Sequence, residues 1–153
     1  MDIFTSLRHD HRQAIGLLNE LASGEDLSRR ERADLLAELQ GLMIAHNEIE
    51  EAALYEVLMR VPAMRDLAAR AYRQHQEVEE LMAQLSGERD DDEWREKLEH
   101  LRVVVERHVE EEETVTFAAI SNAVDTGQLD LVAAEICPGR TEPASKQFDE
   151  AGR

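Results

Sequence analysis

One pattern in this chain occurs twice, and it limits the possible folds more than any other feature. His11 is followed by His46-Asn47-Glu48-Ile49-Glu50-Glu51, and His75 by His108-Val109-Glu110-Glu111-Glu112-Glu113. The lone and paired histidines stand 35 residues apart in the first half and 33 in the second. Residues four apart on an α-helix differ by about 40° in direction. His46 and Glu50 therefore share one stripe of a helix, as do His108 and Glu112.

The lone histidines sit on apolar stripes too. Phe4, Leu7, Ile15 and Leu18 lie within about 40° of His11, and Ala68, Ala71, Val78 and Met82 fall on the inward side of His75. Six polar side chains thus point into apolar faces. An unpaired carboxylate in such a core costs several kcal/mol. Either the six hydrogen-bond one another or a cation satisfies them, in which case metal binding contributes folding energy. The duplication favours the cation, and matched sets in two halves suit a site for two ions. His9 lies on the opposite face from His11, and His100 is nearly perpendicular to His108; both read as solvated surface.

Helical periodicity and punctuation predict an all-α, up-down-up-down four-helix bundle with a short C-terminal helix and a flexible tail. The first helix spans 3–22. Ser28 and Glu31 form a capping box for the second, which carries Leu35, Leu39, Leu42, Met43, Ala53 and Val57 inward and stops near Arg60, before Pro62. The third spans 63–85. Asp90, Asp91 and Asp92 start the fourth, over 92–122, with Leu98, Leu101, Val104, Val105, Val115 and Ala119 inward. A fifth covers 128–136. Residues 1–137 read as one domain and 138–153, with Pro138, Gly139 and Pro143, as a disordered tail. The halves repeat beyond the histidines: Leu39, Leu42, Tyr55 and Leu58 align with Leu101, Val104, Phe117 and Ile120.

The formal net charge of −17 disfavours nucleic acid and anionic membrane surfaces as partners and favours cations. The lone Cys137 precludes an intrachain disulfide and reads as incidental. No apolar run approaches membrane-spanning length and residues 1–11 lack a signal-peptide core, so a cytoplasmic location is expected.

Mixed imidazole and carboxylate donors without thiolate suit iron or manganese. The order HxxxE is also the reverse of the Glu-x-x-His pairs of ferritin-like di-iron proteins. With its segments LRHDHRQAIGLL, HNEIEEAALYEVL, RQHQEVEELMAQL and ERHVEEEETVTF, the chain resembles the hemerythrin-like (HHE cation-binding) family over residues 3–122. The resemblance implies an oxo- or hydroxo-bridged centre of two Fe ions. Its ligands would be His11, His46, Glu50, His75, His108 and Glu112, with the two glutamates bridging.

Two departures bear on function. Oxygen-carrying hemerythrins have a fifth histidine one turn from the position of His75, where this chain has Ala71 before and Glu79 after. Their last motif ends in Asp five residues after its histidine, where this chain has Glu four after. Two octahedral irons offer about twelve positions, of which about two stay open here against one in the carriers. Glu79 or Tyr72 is a candidate to fill the gap, and Glu51 and Glu113 to hold the ligand histidines from behind. The open positions favour redox processing of a small oxidant (hydrogen peroxide, O2 or NO) in oxidative or nitrosative stress defence, by a monomer or weak homodimer supplied by a separate electron donor. A non-enzymatic O2, NO or iron sensor, carrier or store is the alternative.

Overall fold

The computed structural model describes residues 2–138. All regular structure among them is helical. Helix α1 (Ile3–Ser23) starts at Asp2, whose carboxylate accepts from the Thr5 amide. Helix α2 covers residues 29–60: it is α-helical over Arg29–Ile49, widens to a π-helical turn over Glu50–Tyr55 and is α-helical again over Glu56–Arg60. Ser28 Oγ caps it by accepting from the Glu31 amide at 3.1 Å. Val61 is extended before Pro62, which ends the helix, as a proline should.

One 3-10 turn (Pro62–Met64) leads into α3 (Arg65–Gly87). Helix α4 covers residues 91–123, again interrupted: Asp91–Glu111, a π-helical turn over Glu112–Thr116, then Phe117–Ala123. Asp90 caps it by accepting from the Asp92 and Glu93 amides. Helix α5 is Thr126–Ile136. The expected helix limits hold to within two residues. The expected tail lies outside the described residues apart from Pro138. No helix among the described residues is long and apolar enough to cross a membrane.

Helix α1 packs on α2 and α4, and α3 on the same two, so the four long helices enclose one interior. Helix α5 closes one end against α1 and the π turn of α2, and the Ile3 amide donates to Asp130 Oδ1 at 2.8 Å. Cys137, half-buried, packs against this end. The core has two apolar layers. One holds Leu18, Leu39, Met43, Leu85, Trp94 and Leu101. The other holds Ile3, Leu7, Leu54, Leu58, Phe117 and Ile120. On every long helix the candidate ligands lie in sequence between the two layers.

The π turns correct part of the expected core. A π turn closes its hydrogen bonds five residues apart, so it adds one residue and shifts the inward phase of everything after it. Val115, expected inside, is 49% exposed, while Thr116 and Phe117 are buried. In the widened turn of α2 and after it, Ala53, Leu54, Tyr55 and Leu58 are buried, with Val57 only half-buried. Uniform period-3.6 reading misses this because the widening begins at the glutamates themselves.

The shifted register has a direct test. Leu58→Ala should cost about 2–5 kcal/mol, whereas Val115→Ala should stay within about 0.5 kcal/mol of the parent. Urea denaturation of both variants measures the difference, and equal losses would contradict the register.

Candidate metal centre

The interior between the layers is polar and closed off from the surface. His46 and Glu50 are 0% exposed, and His11, His75, His108 and Glu112 at most 3%. Each carboxylate divides its oxygens between two pairs of histidines. Glu50 Oε1 lies 2.6 Å from His46 Nε2 and 3.6 Å from His11 Nε2, and Glu112 Oε1 lies 3.2 Å from His11 Nε2. Glu50 Oε2 lies 2.8 Å from His75 Nε2 and 3.6 Å from His108 Nε2, and Glu112 Oε2 lies 3.3 Å from His108 Nε2.

These approaches are close but mostly not hydrogen bonds. His11, His46 and His108 Nε2 and Glu50 and Glu112 Oε1 have no hydrogen-bond partner among the described residues. The atoms face a common point rather than one another. One donor atom from each of the five residues lies within 4.8 Å of every other. An orphaned buried polar atom costs about 1–3 kcal/mol, so five in one place is a severe defect. A cation removes it, because every orphan is a metal donor. The cluster is therefore fit to bind metal. His75 adjoins it rather than completing it: its Nε2 is engaged by Glu50 Oε2 and by the Tyr55 hydroxyl at 3.0 Å.

Tyr55 was missed by period-3.6 reasoning. Its hydroxyl lies 2.9 Å from both Glu50 Oε2 and Glu112 Oε2, and the side chain is fully buried. On a uniform α-helix, residue i+5 points about 140° away from residue i. The π turn over Glu50–Tyr55 stacks the two instead. Tyr55 thus stands where the sequence offered Tyr72 or Glu79. Tyr72 is half-buried and packs its ring edge-on against Tyr55 at 5.1 Å. Glu79 is exposed and does not reach the centre, because Val78 takes the inward position of the turn that follows His75. His9 is exposed, and His100 pairs with Glu77 at the surface.

A partner stands behind each histidine. His11 Nδ1 faces Glu113 at 3.2 Å across the repeat, and His75 Nδ1, which makes no hydrogen bond among the described residues, has the Glu51 carboxylate at 3.6 Å across it. His46 Nδ1 meets the buried Asp10 at 2.9 Å, and His108 Nδ1 meets Gln74 Oε1 at 2.9 Å. Gln74 donates onward to Glu111, which Arg70 clamps with two nitrogens. Asp10 and Gln74 each immediately precede a ligand-type histidine in equivalent positions of the repeat. That equivalence is the signal by which the sequence could have revealed them. Such partners fix the ring orientation and, where anionic, raise the basicity of the coordinating nitrogen.

Electrostatics show what the fold does without a cation. Burial disfavours a charged His11, but Glu112 and Glu50 outweigh it and raise its pKa to about 9. His46 and His108 are raised by the same balance, burial opposing and the glutamates prevailing. Burial pushes Glu50 up, yet His46 and its other neighbours hold it well below the usual range. Burial and then the Glu50 charge push Glu112 up. Burial, with both carboxylate charges, raises Tyr55, so it stays a neutral phenol.

The family model for the hemerythrin HHE cation binding domain matches residues 2–120. The chain belongs to this family. Neither the curated proteins nor the solved structures supply a match. Membership in the HHE family agrees with the site chemistry, whose donors are imidazole and carboxylate with no thiolate among them.

Two outcomes follow for this HHE domain. Replacing Asp10 with Ala should weaken metal affinity about 10–100-fold by freeing the His46 ring, measured by chelator competition. In chelator-stripped protein the raised His11 contributes stability fully below its ordinary pKa of 6.5 and loses it as pH climbs through about 9. Thermal denaturation of the stripped protein should therefore show a falling Tm from pH 6.5 to 9, and a flat profile would refute this balance.

Proposed function

We propose that this domain holds two iron ions and uses them to reduce or disproportionate a small oxidant: hydrogen peroxide, O2 or NO. One observation carries the reading. Each of Glu50 and Glu112 offers one oxygen to the His11/His46 side and the other to the His75/His108 side, which is the arrangement of bridging carboxylates. His11 and His46 would hold one ion, His75 and His108 the other, and the Tyr55 hydroxyl is in reach as a further oxygen donor. Iron bound there supplies one-electron redox chemistry and a Lewis-acidic grip on the oxidant. Short turns joining neighbouring long helices support an up-down-up-down bundle, and residues 1–137 would form a single domain.

The surroundings favour redox chemistry over reversible carriage. Carboxylates stand behind three of the four histidines, and a tyrosine oxygen faces the centre. Anionic partners make the donors more basic and stabilise the oxidised metal, which suits reducing an oxidant better than releasing O2 unchanged. Gln74 holds the His108 ring by accepting from its Nδ1–H, which leaves Nε2 free of its proton as a donor to metal. Leu67, Ala71 and Thr116 close over His108 and Glu112 in a crevice too narrow to hold a water molecule. The apolar layers above and below the centre keep bulk water out.

The test is to measure iron per chain and then add peroxide anaerobically while following oxygen release. About two irons with rapid turnover supports the enzyme. A stable, reversible spectral adduct without turnover would instead identify a binder or sensor. Absence of iron, with stability unchanged after His46→Ala and His108→Ala together, would eliminate both.

A further inference from the structure

A second cavity, of about 240 Å3, lies at the other end of the bundle, where α2 and α4 begin and α3 ends. Arg32 stands 14 residues before His46 in the sequence, about 21 Å along α2 at 1.5 Å per residue, so this cavity is not part of the His/Glu centre. Its character runs against that of the whole chain. In a protein of net charge −17, three arginines line it: Arg29, Arg32 and Arg89. Trp94, Leu36 and Leu85 contribute an apolar floor, and all three are buried.

The cations are only partly used. Arg32 stacks over the Trp94 ring at 4.7 Å and offers one nitrogen to Asp91 at 3.1 Å. Its Nε is buried with no hydrogen-bond partner. Arg29 and Arg89 enter no side-chain ion pair among the described residues. Two carboxylates border the cavity, and both are committed: Asp91 to Arg32, and Glu88 to Lys97 and the Asp90 amide. Stacked arginine beside free arginines, over an indole, matches the needs of an oxyanion head on a flat or apolar body.

We propose that this cavity is a binding site for a small organic oxyanion, a carboxylate or phosphate carried on a planar or apolar group. Arg29 and Arg89 take the oxyanion, and Trp94 with Leu36 and Leu85 takes the body. The site clasps the starts of the two helices that carry both HxxxE pairs.

Trp94 is the sole tryptophan, so the chain reports on its own cavity. Phenyl phosphate and benzoate, with inorganic phosphate as the bare head, are titrated at constant ionic strength while indole fluorescence is followed. A saturable change is expected, tighter for the aromatic anions than for phosphate. Arg29→Ala with Arg89→Ala should weaken it about tenfold or more, with helicity, Tm and iron content unchanged because both side chains are exposed and lie far from the centre. Phenol, which lacks the charge, should give no saturable response. A response that merely tracks added potassium chloride, or that survives the double substitution, overturns the proposal.

Discussion

Two carboxylates sealed among four imidazoles govern this molecule. Glu50 and Glu112 have no water to turn to, and their inner oxygens find no hydrogen-bond donor. Burying such groups is among the costlier things a small domain can do. In the absence of metal the fold tolerates it with His11, His46 and His108 raised in pKa by these carboxylates, and a cation would relieve it. Core layers on both sides, the caps and the helix pairing all serve to hold these six side chains at one depth.

Local backbone geometry decides what else joins them. Both helices that carry a HxxxE pair widen to π-helical form directly at the glutamate. The extra residue brings Tyr55 under Glu50 and, in the equivalent place, Phe117 beside His11, whose ring it parallels at 6.1 Å. π-bulges often mark functional positions, and here the reason is visible. Without the widening the tyrosine oxygen would point away from the centre and the core behind it would lose its register.

The halves are alike in framework and different in chemistry. Asp10 supports His46 where Gln74 supports His108, and tyrosine faces the centre on one side where phenylalanine stacks on the other. Arg8 lies over Phe117 at 5.1 Å, while its counterpart Tyr72 packs on Tyr55. The donors on the two sides of the centre therefore differ in the charge of the partners behind them and in the rings packed against them.

The sequence by itself determined the helices, their ends, and the five residues that cluster in the interior with His75 beside them, and it placed His9 and His100 at the surface. Periodicity, caps and proline are local signals, and a duplicated HxxxE pattern on apolar stripes has few other physical solutions. Only the tertiary structure decided that Tyr55, rather than Tyr72 or Glu79, meets the glutamates, and that Val115 faces outward. It alone paired Glu113 with His11 and Glu51 with His75 across the halves. Those outcomes depend on helix widening and interhelical contact, and neither leaves a trace in a 3.6-residue period.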